Sequence, residues 1–162
     1  MNNIVEQAIT LYRDGQSNEA VGLLSGYLTD PEWGSLAHFH TAFAYDRQGD
    51  EKKAIPHYRQ ALLGSLNRKD RFDALLGLGS SLRCLGEYVA ATETFELLLS
   101  EYPDSQSAQP FYAMCLYNTG RGKEACQLLM KLLLATTDNQ EIKAYQAALA
   151  LYAEDLDQTW ID

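Results

Sequence analysis

The chain has 162 residues, 46% of them hydrophobic and 22% charged, with a formal net charge of −9. That length suits one domain with a buried core. The acidic balance argues against a nucleic-acid binder, because phosphate neutralisation needs clustered Lys and Arg. No apolar run approaches the ~18 residues that would span a membrane, and the start, MNNIVEQAITLYRDG, lacks the basic-then-apolar order of a signal peptide.

The expected elements are all helical and come in pairs. A first helix runs to Gly15, and Asn18-Glu19-Ala20 opens a second that ends near Pro31. A second pair turns at Gly49. The segment Asn67–Arg71 follows it, with Asp70 the expected N-cap of the next helix. From Phe72 the pattern is clearest. Leu75, Leu78, Leu82 and Leu85 step by three or four on one helical face, Gly86 stops that helix, and Tyr88, Ala91, Phe95 and Leu98 start a second stripe closed by Pro103. The fourth pair has Pro110 in its first turn, where the missing N–H costs little. It turns at Gly120 and ends in Thr136-Thr137-Asp138-Asn139. One further amphipathic helix is expected from Gln140 to about Asp157, with Trp160 and Ile161 beyond it. The count is nine helices.

The turn glycines Gly15, Gly49, Gly86 and Gly120 are spaced by 34, 37 and 34 residues. Leu75, Leu78, Gly79, Leu82, Ala91, Phe95 and Pro103, with Tyr88 after the turn, fall at the offsets of the tetratricopeptide repeat (TPR), whose unit is 34 residues long. The chain therefore resembles the TPR family, and is similar to short stand-alone bacterial TPR proteins. The resemblance is strongest from about 35 to 134. It implies an all-α, right-handed α-solenoid of about four helix-turn-helix units, approximately 1–34, 35–71, 72–105 and 106–139, plus a capping helix at 140–157. Ala8, Ala42, Gly79 and Ala113 would be the close crossings within each pair, and His38 takes the place of the usual Trp. The charge suits such an array. Residues 1–34 carry one basic and five acidic side chains, and residues 138–162 carry one and six, whereas residues 35–137 are balanced. The charge thus lies at the ends, where terminal repeats meet water.

No catalytic, cofactor or metal site is expected. Gly77-Leu78-Gly79 lacks a third glycine and a preceding strand, and Gly120-Arg121-Gly122-Lys123 is followed by Glu124 where a phosphate loop needs Ser or Thr. His38 and His40, two apart on a helix, point to different faces, and His57 stands alone. Cys84, Cys115 and Cys126 fit no zinc or redox spacing and read as reduced thiols of a cytoplasmic protein.

The resemblance implies a binding groove lined by the first helix of each unit. Its positions fall on Val5, Ile9, Tyr12 and Arg13, then on Phe39, Phe43, Asp46 and Arg47. In the third unit they fall on Asp73, Leu76, Ser80, Arg83 and Cys84, and in the fourth on Pro110, Met114, Tyr117 and Asn118. The arginines would either take carboxylates from a bound segment or sit at helix C-termini, worth about 0.3–1 kcal/mol each. The Lys/Asn/Arg clamp of chaperone-tail binders is not matched, since the corresponding places hold Val5, Ile9, His40, Asp73 and Gly77, or, starting one unit later, Phe39, Phe43, Gly77, Ser107 and Phe111. The expected function is a non-enzymatic, cytoplasmic protein-interaction scaffold that binds a peptide segment or helix in an apolar, aromatic groove. The partner is a protein or peptide, not nucleic acid or membrane. Two alternatives stay open: a structural homo-oligomer, a homodimer for instance, with self-buried groove or end faces, or a small acidic regulator or secretion chaperone.

Overall fold

The computed structural model describes residues 2–161; Met1 and Asp162, at the outer limits of the first unit and of the whole span read from sequence, lie outside it. The described residues form ten helices: α1 (Asn2–Arg13), α2 (Ser17–Ser25), α3 (Gly34–Asp46), α4 (Glu51–Leu63), α5 (Arg68–Cys84), α6 (Tyr88–Glu101), α7 (Gln109–Asn118), α8 (Gly122–Thr136), α9 (Gln140–Ala144) and α10 (Gln146–Glu154). The chain divides into two compact units, Met1–Leu98 and Leu99–Asp162.

One turn is built four times. Gly15, Gly49, Gly86 and Gly120 have φ of 83°, 73°, 79° and 81°, the left-handed region that a Cβ disfavours. Each glycine N–H reaches back three residues, and the next N–H reaches back five. The longer bonds are Gln16 to Leu11 at 2.8 Å, Asp50 to Tyr45 at 3.1 Å, Glu87 to Leu82 at 3.0 Å and Arg121 to Leu116 at 2.8 Å. This is the Schellman closure, which satisfies carbonyls orphaned at the helix end and reverses the chain into the partner helix.

In the unit Met1–Leu98 the closest crossings use small residues, with Ala8 and Ala42 fully buried. Two helical glycines make room for rings. A Cβ on Gly77 would stand 2.4 Å from the Tyr58 ring and hydroxyl, and one on Gly79 would stand 2.7 Å from the Phe95 ring. Both rings are fully buried. Polar groups tie the helices as well. Asp46 at the end of α3 accepts from the Tyr58 hydroxyl of α4 at 2.6 Å and from the Ser81 hydroxyl of α5 at 2.7 Å.

Three expectations are corrected. The N-cap of α5 is Asn67, whose side-chain oxygen accepts from the Asp70 N–H at 2.9 Å while its amide donates to the Asp70 carboxylate at 2.6 Å. Asp70 is instead the acidic residue of the first turn, and the helix starts earlier than its sequence cue. The three extra residues between Gly49 and Gly86 thus go into α5, which at 17 residues is the longest helix. The segment 140–157 is two helices ending at Glu154, separated at Tyr145, whose backbone turns to φ −107° and ψ 11° and closes an i to i−3 bond on Ile142. His57 does not stand alone, because its Nδ1 lies 2.8 Å from Nδ1 of His38 across the α3/α4 pair.

In the unit Leu99–Asp162, Ala113, Leu116 and Ala125 form a small core between α7 and α8, with Tyr112 and Leu128 packed on it. Asn139 caps α9 by accepting from the Glu141 and Ile142 N–H groups. The α10 helix packs on α8. Gln127 of α8 donates to the last carbonyls of α10, Ala153 at 3.2 Å and Glu154 at 2.7 Å, and Lys123 pairs with Asp155 and Asp157.

Glycine substitutions should therefore move stability in opposite directions. Gly22, inside α2, has no atom within 4 Å of the place where a Cβ would stand, so Gly22→Ala should stabilise by about 0.5–1 kcal/mol through helix propensity. Gly79→Ala has the same propensity gain but drives a methyl into the Phe95 ring, an overpacking cost of about 1–3 kcal/mol, and should lower the urea midpoint. Equal shifts for the two variants would contradict the packing account.

Candidate functional site

The first helices α1, α3 and α5 enclose a cavity of about 420 Å³ lined by Ile9, Tyr12, Arg13, Phe39, His40, Phe43, Arg47, Lys69, Asp70 and Asp73. A second cavity of about 290 Å³ adjoins it and shares Phe43 and Arg47, with Asp46, Glu51, Ser80, Ser81 and Cys84 completing its wall. Together they make one trough along the unit Met1–Leu98.

The floor is aromatic. Tyr12 packs on Phe43 with ring centres 5.5 Å apart, and Phe39 lies 6.2 Å from Phe43 and 4.9 Å from His40. The Tyr12 hydroxyl meets His40 Nδ1 at 3.2 Å. Burial holds His40 down at a pKa of about 4, so at pH 7 the ring is neutral and Nδ1 can accept the hydroxyl proton. Burial raises the Tyr12 pKa, and Arg13 and Arg47 partly oppose that. Burial also raises Asp46, against the pull of its two hydroxyl donors, and pushes Tyr58 upward.

The rim is charged. Arg47 donates from Nε to the Tyr12 carbonyl at 3.0 Å, which ties α3 to the C-terminal end of α1. Lys69 pairs with Asp73 at 2.6 Å. Lys69 and Asp70 sit on the added first turn of α5, and Asp73 follows one turn on.

Of the residues named from sequence, Ile9, Tyr12, Arg13, Phe39, Phe43 and Arg47 meet in the larger cavity, and Asp73 joins them. Asp46, Ser80 and Cys84 line the smaller one. Val5, Tyr12 and Phe39 are 8%, 5% and 4% exposed, so they offer little free surface. Leu76 and Arg83 are half-buried on α5 and line neither cavity. Met114 and Tyr117 are exposed on α7, in the other unit, Tyr117 at 72%. Sequence reasoning left His40, Glu51, Lys69, Asp70 and Ser81 out of the groove; for Lys69 and Asp70 the signal was the 37-residue glycine spacing, which announces an extra turn without saying which helix carries it.

All three cysteines are free, Cys84 and Cys126 exposed and Cys115 buried. Among the described residues no group of three or more His, Cys, Asp and Glu is placed to hold a metal ion, and no helix is long and apolar enough to cross a membrane.

The buried imidazoles give a pH dependence with a definite sign. Unfolded histidine takes its proton near pH 6.5, whereas folded His40 waits until about pH 4. Between those values the unfolded chain binds the extra proton, so stability is lost as pH falls through that window, by about 3 kcal/mol for this group. His38 and His57, also lowered by burial, act with the same sign, and Asp46, raised, acts against them at the acid end. Urea titrations between pH 7 and pH 4 should show a steeper slope for the wild type than for His40→Gln. Parallel slopes would contradict the assignment.

A family model described as tetratrico peptide repeat matches residues 35–156. None of the curated proteins matches the chain significantly. Among solved structures, a Podosopora anserina protein assigned as a kinesin light chain with nearly identical TPR-like repeats superposes with a TM-score of 0.71 at 19% identity, over 96% of this chain and 90% of that one. The MamA protein superposes with a TM-score of 0.69 at 18% identity, over 99% of this chain and 79% of that one. At such identities the likeness concerns the fold alone. With the family match over three quarters of its length, four Schellman-turned helix pairs and an all-helical architecture, the chain belongs to the tetratricopeptide repeat family.

Proposed function

We propose that the chain is a protein-interaction module whose trough along α1, α3 and α5 holds a peptide segment or helix of a partner protein. The TPR fold generally mediates protein–protein interaction. The observation that carries the reading is the larger cavity, where half-buried Phe43 lies over the buried rings of Tyr12 and Phe39 beneath a charged rim. Such a surface offers apolar area for affinity and polar groups for orientation. TPR scaffolds are generally non-enzymatic, so binding rather than catalysis is the reading that the trough supports.

Phe43 is the residue to test, being half-buried and common to both cavities. Affinity capture from native lysate should return a polypeptide with the wild type that Phe43→Ala loses, while the variant keeps its helical circular-dichroism signal. Phe39→Ala, at a position 4% exposed, should instead cost about 3–5 kcal/mol of stability. Capture of the same set by wild type and Phe43→Ala would sink the trough assignment. Tyr117→Ala tests separately whether the exposed face of α7 takes part.

A second reading, homo-oligomerisation, rests on the exposed apolar side chains of residues 145–161: Tyr145, Leu151, Tyr152, Leu156, Trp160 and Ile161. Exposed apolar surface of this extent marks contact sites. Sedimentation at micromolar concentration should then give a mass above one chain, and a monomer throughout a dilution series would rule it out.

A further inference from the structure

The rim of the larger cavity holds two arginines, Arg13 and Arg47, that the described residues leave without a carboxylate. Among the described residues most other cations are engaged. Lys53 pairs with Asp50, Lys69 with Asp73, Arg121 with Glu124, Lys123 with Asp155 and Asp157, Lys131 with Glu154, and Lys143 with Asp138. Arg13 and Arg47 form no ion pair with the described residues, although acidic side chains outnumber basic ones by 22 to 13. Both line the same cavity and both act on Tyr12. Arg47 is fixed by its Nε bond to the Tyr12 carbonyl, and its two terminal nitrogens have no partner among the described residues. The acids of that cavity are already engaged: Asp73 takes Lys69, and Asp70 takes the Asn67 amide.

We propose that the trough recognises a partner segment in which an acidic side chain stands beside an apolar or aromatic one, the carboxylate held by Arg13 and Arg47 and the apolar group on Phe43. This rests on the trough being the binding surface. Guanidinium groups match carboxylates in planar, two-bond geometry. The three cations and two anions of the cavity suit one carboxylate, and Asp70 and Asp73 would repel a polyanion such as nucleic acid. The trough continues past Arg47 into the smaller cavity, so chain runs on both sides of the anchor. That geometry suits an internal Asp or Glu rather than a C-terminal carboxylate.

The test uses the full chain and a positional library of short, N-acetylated and C-amidated peptides, read by fluorescence anisotropy. Selected peptides should carry Asp or Glu within two positions of a large apolar residue. Replacing that acid by its amide, or making Arg13→Gln, should weaken binding roughly tenfold. Arg13 has no intramolecular bond to lose among the described residues, so the fold should be unchanged. Arg13→Glu should be rescued by a peptide with Lys in place of the acid. Selected peptides without acidic preference, or binding insensitive to Arg13→Gln but sensitive to Phe43→Ala, would overturn the carboxylate assignment and leave the trough standing. Absence of binding by any peptide would remove both. Binding only of the segment from this chain's own residues 150–161 would make a second copy the occupant and overturn the assignment to a foreign partner.

Discussion

The unit Met1–Leu98 depends on how Tyr58 is housed. Its ring comes from α4 and is fully buried, and it fits only because Gly77 of α5 has no side chain. Its hydroxyl reaches the Asp46 carboxylate at the end of α3, and the other oxygen of that carboxylate takes the Ser81 hydroxyl of α5. One side chain thus locks three helices. Burying a carboxylate is costly unless donors meet it, and the upward shift of Asp46 shows that the two hydroxyls offset the desolvation only in part. The Gly79–Phe95 contact repeats the same device between α5 and α6.

This packing sets the trough. With α3 and α5 fixed at the Asp46 junction, Phe43 on α3 and Arg47 at its C-cap line a wall with Ser80 and Cys84 of α5. Arg47 then ties α3 to the end of α1, and Tyr12 to His40 makes a second tie between the same helices. The walls are therefore held by groups with defined partners. A preformed surface loses less entropy on binding than one that must order itself.

Much of the fold was legible because its turns impose one chemical demand. A left-handed residue that ends a helix calls for glycine, and four glycines at near-repeat spacing mark four such ends. Other features depend on neighbours that spacing along one helix does not reveal. His38 and His57 meet across two helices, 19 residues apart, so reading His57 by itself could not find its partner. Asn67 and Asp70 are both good capping residues, and only the start of the helix decides between them. The trough positions of Tyr12 and Phe39 follow from the family resemblance, but their low exposure follows from rings packed against them. The added turn of α5 brought Lys69 and Asp70 to the rim. The break at Tyr145 has no local cue such as Pro or Gly.

The central claim is that partners enter along α1, α3 and α5. Cys84 lies exposed at the edge of the smaller cavity, so a benzophenone placed on it, with Cys126→Ser, reports on that surface alone. A control label at Val89→Cys, on the exposed start of α6 and with Cys84 and Cys126 removed, samples surface outside both cavities. Photolysis in native lysate should give a discrete adduct from the label at Cys84 that Phe43→Ala abolishes and the Val89 label does not produce. Identical adducts from both labels, or an adduct at Cys84 indifferent to Phe43→Ala, would contradict the account.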